Sequence, residues 1–311
     1  MTRPPSPVLP SVLHPAGPDA DVIAHMAWML FGGGTLIFVA VMALLALSLR
    51  GHARPVRPMR WIAGAGIAFP VAVLLLLLGW STWHSARLSF QSSRVPLQIA
   101  VSAKMWWWEV RYPGPAGDIV SANEIHIPAG QDVYIGLSAS DVIHSLWIPA
   151  LNGKMDAIPG RVTGLTLHAA KPGVYRGQCA EYCGTQHARM ALHVVAHTNA
   201  DFTAWLARQG RAAAVPANAY LERGRRVFVE QRCGACHTIR GVAAGALLGP
   251  DLTHVGSRLH IAAGTLRNHR GTLAGWIADP QSVKPGARMP PAADLDGESL
   301  RALATYLESL K

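Results

Sequence analysis

Cys179-Ala180-Glu181-Tyr182-Cys183-Gly184-Thr185-Gln186-His187-Ala188-Arg189-Met190 gathers two thiols, an imidazole and a thioether in twelve residues. Thiolates, imidazoles and a weak thioether are the donors that suit copper. Cys179 and Cys183 are four apart, so one loop can turn both sulfurs to the same place and bridge two metals. A second imidazole must come from elsewhere. His144, in Asp141-Val142-Ile143-His144-Ser145, follows a strand-like stretch and is the best candidate. A zinc site built from Cys179, Cys183 and His187 would leave Glu181, Met190 and His144 without a role.

Around this loop, from about Pro96 to Ala196, the pattern is one of short β runs. They cover 97–101, 106–112, 124–127, 133–137, 161–168 and 192–195, with turn signals such as Pro113-Gly114, Asn152-Gly153 and Pro172-Gly173 between them. Short strands at regular turns predict a Greek-key sandwich or barrel. His126, His168, His193 and His197 lie on these stretches or at their ends and lack a partner motif, so they read as structural.

Downstream, Cys233-Gly234-Ala235-Cys236-His237 is the attachment signature of a c-type haem. Thioether bonds at Cys233 and Cys236 would fix the haem, and His237 would be its proximal ligand. A methionine as sixth ligand raises the potential and closes the iron. Met289 is the candidate, since no other methionine follows Met190. Helical patterns at 220–231 and at 300–310, where Leu300, Leu303, Leu307 and Leu310 share a face, bracket the motif and predict an all-α domain. All four cysteines are used by the two motifs, so a pair of disulfides is the poorer reading.

Upstream, two apolar runs at about 22–49 and 61–83 each meet the roughly 20 residues needed to cross a bilayer. Asp19 and Asp21 are placed to cap the first helix. Arg50, Arg54, Arg57 and Arg60 between the runs should stay cytoplasmic, which puts both termini and both metal motifs on the outer face. The net charge of +10 is dispersed, without a basic block interleaved with aromatics, so no nucleic-acid footprint is read. The expected division is an exposed tail over 1–21, a transmembrane hairpin over 22–84, a β domain over 85–199, a connector over 200–218 and an α domain over 219–311.

The copper loop resembles the binuclear copper A loop of cytochrome c oxidase subunit II at every position: Cys179, Glu181, Cys183, His187 and Met190. Gly153-Lys154-Met155-Asp156-Ala157-Ile158-Pro159-Gly160-Arg161 and Trp106-Trp107-Trp108 also resemble that family's segments. Residues 219–311 are similar to class I cytochrome c, with Gly249-Pro250-Asp251-Leu252 as the loop whose Pro250 carbonyl orients the proximal histidine. The combination looks like a bacterial cytochrome c-fused haem–copper oxidase. The resemblance implies a multidomain membrane protein: a two-helix hairpin, an all-β cupredoxin-like Greek-key barrel and an all-α cytochrome c domain, held in the bacterial inner membrane with its metal domains in the periplasm. It implies that Cys179 and Cys183 bridge two coppers. His144 and Met190 would complete one copper, and His187 with the Glu181 carbonyl the other. The Glu181 side chain would reach a Mg²⁺ at the boundary with subunit I, and Trp106 would be the aromatic through which electrons arrive. The implied partners are subunit I, a third subunit and an external electron donor. The implied activity is electron input to a proton-translocating cytochrome c oxidase whose O₂ site lies in subunit I.

Two departures matter. The second span opens Arg60-Trp61-Ile62-Ala63-Gly64-Ala65, without the acid many relatives carry there. The β domain is slightly basic, which disfavours a basic soluble donor docking on it and points to electron input at the fused haem. An electron-input subunit of a copper A-containing nitric oxide reductase is the nearest alternative. A copper-delivery protein is the alternative from another class, though delivery calls for an open, exchanging site.

Overall fold

A computed structural model describes residues 7–8, 11–51, 57–86, 88, 97–115 and 117–311. Arg54 and the first prolines of the chain lie outside these residues. Helix α1 runs Pro18–Leu49 and α2 runs Pro58–Ser85; each has mean hydropathy 2.4 and is long and apolar enough to cross a membrane. Their large side chains, Leu36 and Leu76 among them, are exposed, as expected where lipid rather than protein is the solvent. The first helix begins four residues earlier than expected. Its N-cap is Gly17, with Pro18 at the first position, and Asp19 and Asp21 lie in the first turn, where they complement the helix dipole rather than cap it. In α2, Ile62–Ala68 is π-helical, and the Phe69 amide bonds the Gly64 carbonyl. Pro70 follows directly: it has no amide to give and its ring crowds the preceding turn, so the helix widens there.

Within the segment expected as an exposed tail, described residues bond to the β domain. Strand β1 (Pro7–Val8) pairs with Val174 and Tyr175. Farther on, the Ala16 amide bonds the Ala150 carbonyl at 2.7 Å.

The β domain is two curled sheets rather than one closed barrel. One sheet orders β4 (Ile119–Ala122), β3 (Trp107–Tyr112), β2 (Leu97–Lys104), β6 (Val133–Ala139) and β9 (Thr163–Leu167). The other orders β5 (Glu124–Pro128), β11 (Ala191–His197), β10 (Gly173–Cys179), β7 (His144–Trp147) and β8 (Met155–Ala157), with β1 beside β10. A single bridge joins Ala139 of β6 to Pro159, two residues beyond the end of β8, without extending into a ladder, so the barrel stays partly open. Alternation fills the space between them: Val133, Ile135, Leu137 and Ala139 point inward from β6 and meet Ile99, Trp108, Tyr112 and Leu146.

The connector opens as helix α3 (Asn199–Gln209), capped by the Thr198 hydroxyl. Phe202 and Trp205 bury in the β core, and the Trp205 ring stacks on His126 at 4.0 Å. Helix α4 (Ala219–Glu230), capped by Asn218, crosses α6 (Gly297–Ser309), capped by Asp296. Gly224 is required at the crossing, since a Cβ there would lie 2.6 Å from the Tyr306 Cβ. Helix α5 (Arg270–Ala278), absent from the sequence reading, completes this core with Leu273 and Ile277.

Candidate metal centres

Strand pairing assembles the first site. Cys179 ends β10 and pairs with Leu146 on β7, which sets His144 beside it. The Cys179 amide bonds the Met190 carbonyl at 2.9 Å, so the loop closes where β11 begins. The donors converge. The two sulfurs are 3.8 Å apart. His144 Nδ1 is 3.9 Å from Cys179 Sγ. His187 Nδ1 and Met190 Sδ are 3.7 and 3.9 Å from Cys183 Sγ. The Glu181 carbonyl is 3.2 Å from Cys179 Sγ. The sulfurs are too far apart for a disulfide and lie at a spacing that a shared ion can bridge. His144, Cys179 and Cys183 are buried with their donor atoms within 4.8 Å of one another. The soft donor set therefore fits copper.

Electrostatics agree. The hydrogen bond from Cys183, with His144 also contributing, pulls the Cys179 thiol down against its burial. Cys183, beside that charge and buried, is pushed up. A bound cation is what lets two adjacent sulfurs ionise together. Asp141 Oδ1 holds His144 Nε2 at 2.8 Å and so turns Nδ1 toward the sulfurs. Its other oxygen accepts the Met105 amide at 2.7 Å, which fixes the carboxylate itself. Sequence reasoning missed Asp141; its spacing three before His144 was the available signal.

Trp106 is half-buried, and its indole donates to the Cys183 carbonyl at 2.7 Å. Gly184 makes room for that ring: at φ +111° it is in glycine's region, and a Cβ there would meet the indole at 3.1 Å. Trp108 is fully buried against the His144 ring, and Trp107 lies under the Lys104 ammonium, so both serve packing. The Glu181 carboxylate pairs with Lys154 at 3.2 Å.

The second site forms at the end of α4. Arg232 is left-handed, and Cys233–Ala235 make a single 3-10 turn. The His237 amide closes on the Cys233 carbonyl at 3.0 Å. His237 Nδ1 donates to the Pro250 carbonyl at 2.8 Å, which leaves Nε2 free to ligate. Burial pushes the imidazole down, toward the neutral form a ligand needs. Gly249 is the floor of this cradle, since a Cβ there would lie 2.6 Å from the ring. Cys233 and Met289 pack on the same apolar cluster, and neither Cys233 nor Cys236 is in a disulfide. This arrangement fits a covalent haem.

The other histidines have partners within the fold. His126 bridges Glu124 and His197, and His193 stacks on His260 at 4.2 Å.

The family described as cytochrome c oxidase subunit II, periplasmic domain, matches residues 112–197, and the cytochrome c family matches 221–311. Cytochrome c oxidase subunit 2 of Alkalihalophilus pseudofirmus is 38% identical over 213 residues, covering 68% of this chain and 61% of that protein. The probable cytochrome c oxidase subunit 2 of Rickettsia bellii is 30% identical, covering 63% of this chain and 78% of that protein. The crystal structure of the periplasmic domain of cytochrome oxidase subunit II from Bradyrhizobium japonicum is 30% identical, covers 38% of this chain and 95% of that chain, and aligns with a TM-score of 0.35. The chain spans 61–62% of the length of the curated relatives from Alkalihalophilus and Bacillus.

Proposed function

This chain belongs to the cytochrome c oxidase subunit II family, and from that premise we propose that it is the electron-input subunit of a respiratory haem–copper oxidase. It takes electrons from an external donor at its cytochrome domain and passes them through its copper centre to subunit I, where O₂ becomes water with proton translocation. The observation that carries this reading is the convergence of His144, Cys179, Cys183, His187 and Met190 in a chain that also holds His237 against Pro250.

When bound, a haem and a copper pair supply carriers that change charge by one electron with little change of geometry. The residues do the rest. Cys179, Cys183, His144, Met190, His187 and the Glu181 carbonyl would together hold two coppers, which would supply one-electron transfer there. Asp141 orients His144. Cys233 and Cys236 would hold the haem covalently, His237 and Met289 would ligate its iron, and Pro250 orients His237. The Glu181 carboxylate is the candidate for a Mg²⁺ shared with subunit I, in exchange for its pairing with Lys154. The β domain is read as a cupredoxin-like Greek key. Val142, Ile143 and Tyr182 are exposed apolar side chains on the copper-site segments and support docking against subunit I. A third subunit is the further expected partner. The two apolar helices anchor the chain in the bacterial inner membrane with both termini and both metal domains in the periplasm.

Metal analysis of the full chain tests the site assignments. The expectation is one haem and two coppers per chain, with copper lost and haem kept in Cys183→Ser. Copper retention in that variant would contradict the assignment.

A further inference from the structure

The two loops that carry the metal donors meet directly. Gln186, between Cys183 and His187, is 2% exposed. Its amide donates to the carbonyls of Lys284 and Pro285 at 3.1 Å each. Those carbonyls open the segment Lys284-Pro285-Gly286-Ala287-Arg288-Met289. Across the same joint, the Lys284 ammonium, in a side chain whose residue is 3% exposed, donates to the Trp106 carbonyl at 3.2 Å. Trp106 in turn bonds the Cys183 carbonyl. The Arg189 guanidinium adds a bond to the Val283 carbonyl. A buried ammonium is costly unless it is bonded, and an apolar residue would fill that space more cheaply. Lysine at this position instead ties the haem-side loop to the aromatic that is bonded to the copper loop.

Other bonds restrain the cytochrome domain from different segments. Glu124 accepts the Leu259 amide at 2.6 Å and the His260 amide at 3.3 Å. The Ala191 amide bonds the Ala263 carbonyl at 3.0 Å. Lys104 donates to the Leu247 carbonyl at 3.1 Å. Attachments at 247, 259–263 and 283–285 oppose rotation about any single hinge.

We propose that Gln186 and Lys284 are positioning residues that hold the Met289 loop docked on the copper loop in the geometry of internal electron transfer, so that transfer needs no domain movement. This rests on the relay reading above. It also means that Trp106 is engaged by the chain's own cytochrome domain, so an external donor meets that domain instead.

The test is laser-flash reduction of the haem in the purified full-length complex with a ruthenium photoreductant, following haem and copper absorbance. The internal phase should be independent of viscosity when glycerol is added. Gln186→Ala combined with Lys284→Met should slow it about tenfold or more, because a released domain falls back on the effective concentration of its tether. The optical spectra and potentials of both centres should stay as in the unmodified chain. Amide hydrogen exchange over 283–289 should be slow in the unmodified chain and fast in the variant, a readout that does not depend on turnover. A rate that falls in proportion to viscosity would overturn the proposal without any variant being needed. So would a variant that opens the joint yet transfers at the original rate. Absence of haem-to-copper transfer in the unmodified chain, with 283–289 still protected, would remove the relay reading and this proposal with it.

Discussion

At the scale of single residues, most of the candidate donors could be named because they sit in short motifs with fixed spacing. Cys179, Cys183, His187 and Met190 come from one loop, and Cys233, Cys236 and His237 from another. Their supports were not legible, because each acts across the fold. Asp141 is near His144 in sequence, but its bond to the Met105 amide is visible only once β2 and β6 are paired. Removing the side chain in Asp141→Ala frees both groups it holds. Copper affinity should fall about 10–100-fold, the range for loss of an outer-shell partner, measured as faster copper loss to a chelator. For Met289→Ala, the reduced haem should bind carbon monoxide, seen as a shift of the Soret band, whereas the unmodified chain should not. Gln186 and Lys284, 98 residues apart along the chain, gave no sequence signal at all.

At the scale of elements, the apolar runs and the leucine face of α6 gave the helices correctly, while several strands escaped. β10 begins at Gly173, which reads with Pro172 as a turn, and it also contains Gly177. Gly177 is in fact demanded by the Trp147 carbonyl, 3.0 Å from where its Cβ would stand. β7 and β8 are short and irregular in pattern, and where a Greek-key sandwich or barrel was expected the two sheets curl without closing into a barrel. Gly224→Ala should destabilise the α4–α6 crossing by about 1–3 kcal/mol through overpacking, measured as a lower melting temperature of the full chain. The contact of β11 with the cytochrome domain should be sensitive to acid. Burial pushes His193 down to about 4, and His260 beside it adds to this. Arg176 opposes its protonation and Glu124 favours it; Arg267 lies near His260. A histidine with a depressed folded pKa leaves the unfolded chain binding the extra proton. Stability is therefore lost as pH falls from about 6.5 to about 4, by on the order of 3 kcal/mol at most. Burial alone would raise Glu124, but the His126 bond and the Leu259 amide hold it below its usual value. Its contribution is present above the ordinary carboxylate range and is lost below it. Urea midpoints at pH 7 and pH 5 should show the drop, and His193→Phe, which keeps the stacked ring without a titrating group, should flatten it.

At the scale of the whole molecule, the order of parts was readable from composition: apolar, then β, then helical with a haem motif. What composition could not give is how the last two meet. The bonds that join them come from backbone carbonyls and amides at 191, 247, 259–263 and 283–285, which carry no sequence signature. On the proposed relay, the joint would make the cytochrome domain an integral step in the path rather than an appended tether. The most direct test of that claim is O₂ uptake with a reduced cytochrome donor by the complex purified through a tag on this chain, intact or ending at residue 215. Rapid O₂ uptake with weak NO reduction is expected for the intact chain, and loss of turnover in the shortened one. Retained turnover in the shortened chain, or NO reduction dominating in the intact one, would contradict it.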